Sequence, residues 1–501
     1  MNSELKILNS RINHPEESSM TVRTRFAPSP TGFMHLGGVR TALYAYLFAR
    51  QNDGRFILRI EDTDQERFVE GATEVIYDTL RACGLNWDEG PDIGGPCGPY
   101  IQSERKDTYI PYAKQLVESG HAYYCFCTKE EIDARRAAVE AAGGTWKYDK
   151  HCLSLSREEV QQKLDAGVPW TIRMNAPTEG ETSYSDVVFG EMTFKNAESM
   201  DDMVLIKQDG MPTYNFANVI DDHLMGITHV MRGMEYLSST PRYNYLYTAL
   251  GWEIPTYIHL PTVMRDATHK LSKRDGDAYY SDYIEKGFLT EALVNYLALV
   301  GWNPGTDREF FTLPELVEAF DIHRINNSPG IFDVNKLEWM NSQYIAKMDP
   351  EKYLEMATPW FDKVLAGKGM DYRRLAELMQ SRTDIFSRIP EKIAFLAEMP
   401  EYDPAIFFNK KQKSDETVAK EVLPLLISVL EGISEWTEQN IHDVVIAKIA
   451  EWGRKNGSVL WPMRIAISGQ ESTPGGAFEI AYLLGKEETL RRLNTSLAKL
   501  G

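Results

Sequence analysis

His35, Gly37 and Gly38 close a Pro- and Gly-rich segment, Arg25-Phe26-Ala27-Pro28-Ser29-Pro30-Thr31-Gly32-Phe33-Met34-His35-Leu36-Gly37-Gly38. An apolar run from Val22 to Ala27 reads as a buried strand, and Val39 to Arg50 repeats apolar residues at helical spacing. The piece between them is therefore a strand-to-helix turn. Glycine lets the backbone approach a ligand closely, and a first helical turn offers unpaired N–H groups and the positive end of a dipole. Phosphate suits such a mouth. On its own, a His-x-Gly-Gly turn fits plain chain punctuation equally well. Arg55 to Ile60 reads as a second strand, ending in Glu61-Asp62-Thr63-Asp64. In open parallel sheets ligands bind beyond the carboxyl ends of the strands, so Glu61 is expected on the same rim as His35. Asp62 and Asp64 read as a solvated turn in preference to a metal pair.

The elements that must position these residues alternate at first. A helix is expected from about Val69 to Cys83, then a Gly/Pro-rich loop, Glu89 to Pro99, and a helix around Tyr109 to Ser119. The pattern changes from Tyr123 to Arg173, where Cys125-Phe126-Cys127, a charged helical stretch through Ala142 and Tyr148-Asp149-Lys150-His151-Cys152 read as an insertion. Strand-like pieces resume at Asp202 to Lys207, followed by Gly210 to Tyr214 and the run Phe216 to Leu224, and His229 to Gly233 is a strand ending at a turn. A helix from Pro241 to Leu250 leads to the strand-like Tyr257 to Leu260 and a polar loop, His269-Lys270-Leu271-Ser272-Lys273-Arg274-Asp275-Gly276. From Leu289 onward only helices are expected, with Trp436 and Ile441 flanking Thr437 as a hydrophobic staple around an N-cap.

A chain of 501 residues is too long for one core, so roughly two to four domains are expected. Met1 to Met20 is polar, lacks a period and reads as a flexible extension, with charges that exclude a signal peptide. No apolar run reaches the roughly 18 to 20 residues that span a bilayer, so no membrane partner is expected. Five sparse cysteines argue for a reducing, cytoplasmic address. The net charge of −19 requires that any RNA contact use a local basic face.

With both polar segments in view, the chain resembles a class I aminoacyl-tRNA synthetase, and within that class the bacterial-type glutamyl-tRNA synthetases. His35-Leu36-Gly37-Gly38 is similar to the HIGH signature and Lys270-Leu271-Ser272-Lys273-Arg274 to the KMSKS signature. Family-like segments join them: Arg59-Ile60-Glu61-Asp62-Thr63-Asp64, Gln102-Ser103-Glu104-Arg105, Pro212-Thr213-Tyr214, Asn218-Val219-Ile220-Asp221-Asp222-His223 and Val230-Met231-Arg232-Gly233. Trp461-Pro462-Met463-Arg464 and Thr473-Pro474-Gly475 extend the likeness into the last third. Gly38 stands where the class signature has His, and Arg274 where it has Ser; both are usual for glutamate enzymes.

The resemblance implies an α/β fold: a Rossmann-type catalytic domain at 21–110 and 201–255, an α+β acceptor-end-binding insertion at 111–200, a stem-contact region with the KMSKS-like loop at 256–335, and an all-α anticodon-binding half at 336–501. It implies ATP-dependent ligation of L-glutamate to tRNA(Glu) through a glutamyl-adenylate, with Mg²⁺ on the phosphates, by a monomer. His35, Lys270 and Lys273 would be catalytic; His35, Gly37, Gly38, Glu235, Leu271 and Lys273 would hold ATP. Arg25, Ala27, Ser29, Glu61, Tyr214, Asn218 and Arg232 would hold glutamate, the arginines as carboxylate forks and Glu61 as acceptor of the ammonium. An Arg aimed at the side-chain carboxylate rejects glutamine without an editing domain. Cys125, Cys127 and Cys152 resemble the family's zinc knuckle. Ser154 occupies the expected fourth place, so His151 would have to complete the site. Zinc and three reduced thiols both remain open. Arg382 falls where glutamate-specific members have Arg and relaxed ones Gln; it would meet a base edge or a phosphate, or serve as a solvated helix charge. The rival readings are a relaxed enzyme that also charges tRNA(Gln) and a non-catalytic tRNA-binding paralogue.

Overall fold

Strand β1 (Arg23–Phe26) pairs in parallel with β2 (Arg55–Leu58), Arg23 opposite Arg55, in a computed structural model that describes residues 21–64, 69–271 and 278–501. Parallel neighbours need a crossover, and helix α1 (Leu36–Gln51) provides it, burying Leu36, Val39, Leu43 and Leu47. Helices α2 (Ala72–Ala82) and α3 (Lys106–Glu118) follow. The middle of the chain runs β3 (Ala122–Cys125), α4 (Lys129–Ala141), α5 (Arg157–Asp165), β4 (Thr171–Met174), β5 (Glu181–Asp186), β6 (Gly190–Lys195), the short α6 (Asn196–Ser199) and β7 (Val204–Ile206). There β3, β4 and β7 form an antiparallel sheet, with Tyr109, Leu116, Ile172, Leu205, Phe216 and Leu246 in the core beneath.

The parallel layer then resumes. Helix α7 (Tyr214–Leu224) precedes β8 (His229–Gly233), and α8 (Thr240–Leu250) precedes β9 (Thr256–Leu260), with β8 and β9 parallel and His229 opposite Thr256. The N–H of Thr228 donates to Arg23 O at 3.0 Å, which sets β8 beside β1. The β5–β6 hairpin joins the far side of β9 through Asp186 and Tyr257.

The chain packs as two units: the described part of Met1–Asp282 with Val294–Phe332, and Tyr283–Leu293 with Asp333–Gly501. The second unit is built of helices around one core, including Tyr353, Phe361, Leu375, Ile389, Leu426, Ile449 and Leu493. Asp349, Asp371, Asp415 and Thr437 accept N–H bonds at the starts of its helices, so their termini are satisfied locally. Three expectations change. The run Phe216 to Leu224 is helical, because Phe216, Val219 and Ile220 fall on one buried face. Gly330–Ile331 forms a two-residue strand, β11, parallel to β10 (Val263–Met264), too short for an alternation to show. Asp62 is buried, not solvated, and accepts the N–H and hydroxyl of Ser103 at 2.8 and 2.6 Å.

Candidate active site

The carboxyl ends of β1, β8 and β9 converge on one place. From β1 the chain crosses through α1 to β2 on one side, while β8 lies on the other side, so the sheet's order reverses between β1 and β8. Open α/β sheets take ligands in the crevice at such a switch point. A cavity of ≈ 330 Å³ opens there.

His35 caps α1 at its mouth. Its Nδ1 accepts the Gly37 N–H at 3.0 Å, so the ring proton sits on Nε2 and donates to the Leu271 carbonyl at 3.1 Å. His35 thus joins the helix mouth to the start of the 270–274 loop. A Cβ on Gly37 would stand 3.2 Å from that Nδ1 and would press on the capping ring. Gly37 and Gly38 line the cavity, with Lys270, Leu271 and Glu235. Leu271 is buried, its N–H bonded to Val263 O at 3.2 Å, while Lys270 beside it is exposed. Lys273 lies outside the described residues.

The opposite half of the cavity is lined by Arg25, Ala27, Glu61, Tyr214 and Arg232. Under it runs a buried charge network. Arg59 pairs with Glu61 and with Asp222 at 2.8 Å each, and Arg25 grips Asp222 through Nε and Nη2 at 3.1 and 3.2 Å. Arg105 pairs with Asp221 at 2.7 Å, and Gln102 donates to Asp221 at 2.9 Å. Burial alone would raise the Asp222 carboxyl, but Arg25 and Arg59 outweigh it and hold the group below its ordinary value. For Glu61 burial wins and the carboxyl is raised, although Arg59 and Arg25 oppose it. Arg25 is therefore not an open fork: although it lines the cavity, its Nε and Nη2 are held by Asp222 and its Nη1 donates to Met231 O. Arg232 differs. It is 6% exposed, its Nε and Nη2 bond neutral groups, His259 Nε2 and Thr240 Oγ1, and no described carboxylate pairs with it. Tyr236, Tyr243 and Tyr257 stack their faces within 5.2 Å of its charge.

Two expected glutamate residues do not line the cavity. Ser29 is exposed on the preceding turn, and Asn218 is buried one helical turn below Tyr214, donating to its carbonyl at 2.9 Å. The pattern reading missed Arg40, Thr41, Tyr236 and Thr262, which do line it. Arg40 is hidden in sequence because it sits among the apolar residues of α1. In space its Nη1 donates to Val300 O and its Nη2 to Pro261 O.

Cys125, Cys127 and Cys152 are buried with their sulfurs within 4.8 Å of one another. His151 does not join them. Lys150 adopts a left-handed φ of 56° and anchors its ammonium on Asp202 at 2.9 Å, and His151 after it is exposed. The oxygen facing the thiols is Tyr148 Oη, 3.1 Å from Cys125 and 3.2 Å from Cys127. In the second unit, Arg382 is exposed in a cleft of ≈ 680 Å³ with Arg388, Lys392, Gln470 and Thr473.

A switch-point cavity between a His/Gly helix mouth and a Lys loop, in a chain with a separate helical half, defines a class I aminoacyl-tRNA synthetase. Residues 21–339 match the model of the class I tRNA synthetase (E and Q) catalytic domain, and 352–497 that of an anticodon binding domain. The glutamate–tRNA ligases of Clostridium acetobutylicum and Clostridium tetani are each 54% identical over 479 residues, covering 96% of this chain and 99% and 98% of theirs. A crystal structure of a glutamate tRNA ligase from Elizabethkingia meningosepticum in complex with its amino acid is 36% identical with a TM-score of 0.85, over 96% of this chain and all of that one. A glutamate-tRNA synthetase from Elizabethkingia anophelis is likewise 36% identical, with a TM-score of 0.86, over 95% of this chain and 100% of that one. The chain belongs to the glutamate–tRNA ligase family.

Proposed function

We propose that this cavity activates L-glutamate with ATP and transfers it to tRNA(Glu). The observation that carries the reading is Arg232, a buried guanidinium without a described carboxylate partner, facing a helix mouth that suits phosphate. A carboxylate oxygen of glutamate attacks the α-phosphorus of ATP in line, the bond to the β-phosphate breaks and pyrophosphate leaves. The terminal ribose hydroxyl of tRNA then attacks the acyl carbon and AMP leaves. No enzyme nucleophile is needed, so catalysis is positioning and charge stabilisation. His35, Gly37, Gly38 and Leu271 face the nucleotide, and Lys270 and Lys273 meet its phosphates. Arg232 receives carboxylate, with Arg25, Ala27 and Tyr214 shaping the pocket and Glu61 the ammonium acceptor. Ser29 and Asn218 act through the turn and through Tyr214. Glutamine would leave a buried guanidinium without its counter-charge, at a cost of about 3 kcal/mol or more.

Of the described residues lining the cavity, Glu61 and Glu235 are the acids and Glu61 is engaged by Arg59. That donor set suits a Mg²⁺ held mainly by substrate phosphates and water. The three thiols with Tyr148 Oη offer four donors to zinc, which would brace the insertion without touching the reaction. Arg382 in its cleft is the anticodon reader. Cysteines without a disulfide among the described residues suit a reducing, cytoplasmic compartment.

The test is aminoacylation with labelled glutamate, ATP and separate transcripts of tRNA(Glu) and tRNA(Gln). Charging of tRNA(Glu) alone is expected. Charging both makes the enzyme the relaxed type, and charging neither overturns the reading in favour of a tRNA-binding paralogue.

A further inference from the structure

We propose that Asp186 and His259 form a buried relay that holds the Arg232 guanidinium in register for the glutamate carboxylate, making both of them positioning residues for substrate selection. The inference rests on Arg232 as a carboxylate ligand. His259 lies on β9 beside Arg232 on β8, the two being register partners in the parallel pair. The Arg232 Nε–H is 3.1 Å from His259 Nε2. A guanidinium only donates, so Nε2 must accept and the imidazole proton must sit on Nδ1. There it donates to Asp186 Oδ2 at 2.6 Å. Asp186 is itself fixed: the same oxygen accepts the His259 N–H at 3.1 Å, and Oδ1 accepts the Val188 and Phe189 N–H groups at 3.0 Å each. Both side chains are fully buried.

The second hold on Arg232 is Thr240 Oγ1, which accepts Nη2 at 2.8 Å and donates its own proton to Tyr236 O at 2.9 Å. With Nε and Nη2 pinned, the fork is oriented and Nη1 remains for substrate. This orientation requires a neutral His259, because an imidazolium would turn an N–H toward the guanidinium. The groups facing the ring are Asp186, Arg232, Thr240, Tyr184 and Tyr257, with Arg25 farther off. Burial holds the imidazole down to about 4; Asp186 opposes that shift and Arg232 adds to it. The relay is therefore intact across the pH range in which a free histidine would titrate.

Two conservative variants separate the two ends of the relay. The His259→Asn amide can still donate to Asp186 but has no acceptor at the Nε2 position, whereas the His259→Gln oxygen can take that position and accept the Arg232 Nε–H. Glutamate KM in aminoacylation is expected to rise about tenfold or more in His259→Asn, with ATP KM within about twofold, and His259→Gln to recover most of the loss. Equal losses in the two variants, or a glutamate KM unchanged in folded His259→Asn, would overturn the relay. Arg232→Ala distinguishes the premise: if it leaves glutamate KM unchanged, the carboxylate-ligand reading itself falls. Histidine-selective ¹⁵N NMR of the wild-type chain gives an independent readout. One ring of the ten histidines should stay neutral with its proton on Nδ1 at about pH 5, and the absence of such a ring overturns the proposal.

Discussion

Asp222 takes hydrogen bonds from one buried guanidinium and ion-pairs with a second, Arg25 and Arg59, so its charge sets how both are held. Removing one member of a buried charge network leaves the others uncompensated, which costs about 3–5 kcal/mol. Asp222→Asn should lower the stability of the unit that contains it by about that amount, measured by urea unfolding at neutral pH. The pH dependence has a definite sign. The folded carboxyl of Asp222 is held below its unfolded value, so its contribution is complete above about pH 4 and is lost as pH falls through the folded value. Glu61 runs the other way, since its folded carboxyl is raised and the stability tied to it is greatest below the unfolded value and falls as pH rises through the folded one. Asp222→Asn should therefore flatten the acid limb of a stability-versus-pH curve. An acid limb identical to wild type would show that Asp222 is not what sets it.

Helix α1 shows how one residue can cap an element and line the cavity together. His35 caps the helix through Nδ1 and reaches Leu271 O through Nε2 at the cavity's edge, and these two jobs can be divided. Asparagine is a good N-cap, so His35→Asn should change thermal stability by less than about 1 kcal/mol. Lacking a donor at the Nε2 position, it should lose about 10²-fold or more in aminoacylation kcat. His35→Ala should lose both. If His35→Asn keeps near wild-type turnover, His35 is a cap alone. The place of His35 at a helix mouth follows from local pattern, and so it was legible: an apolar strand, a Gly-rich turn and a helical period all lie within one stretch of sequence. The pairs that finish the site were not. Arg25 and Asp222 stand 197 positions apart, and no local period announces that a strand-end arginine will be spent on a helix-end acid. His259 and Arg232 meet only because β8 and β9 pair in register. His151 was placed by proximity to Cys152, while the left-handed turn at Lys150 brings Tyr148 to the thiols in its place.

Over the whole chain, the net charge of −19 requires any RNA contact to use a local basic face, and in the second unit's cleft Arg388 and Lys392 are paired with Glu338 and Asp384, which leaves Arg382 as the exposed cation there. The division into units also departs from a simple cut along the sequence. Residues Tyr283–Leu293 belong to the helical unit although they precede residue 294, where the chain returns to the other unit. Their hold is specific. Leu289 and Ala292 are fully part of the helical core, and the Leu289 N–H donates to Asn341 Oδ1 at 2.9 Å. Asn341 in turn donates to Asp384 O at 2.6 Å, and the Phe386 N–H donates to Gly287 O at 3.3 Å. A fragment beginning at residue 333 keeps the helices from Val334 onward, with the Asp333 cap, but lacks this segment, exposing the surface that Leu289 covers and leaving Asn341 without its partner. Loss of a buried leucine costs about 2–5 kcal/mol and an orphaned buried acceptor about 1–3 kcal/mol more. The fragment should therefore unfold at lower urea than the same helical unit in the full chain, and adding residues 283–293 through a flexible linker should restore much of the difference. Equal midpoints for the bare fragment and the linked form would mean that the segment is an ornament on the helical core and not part of it.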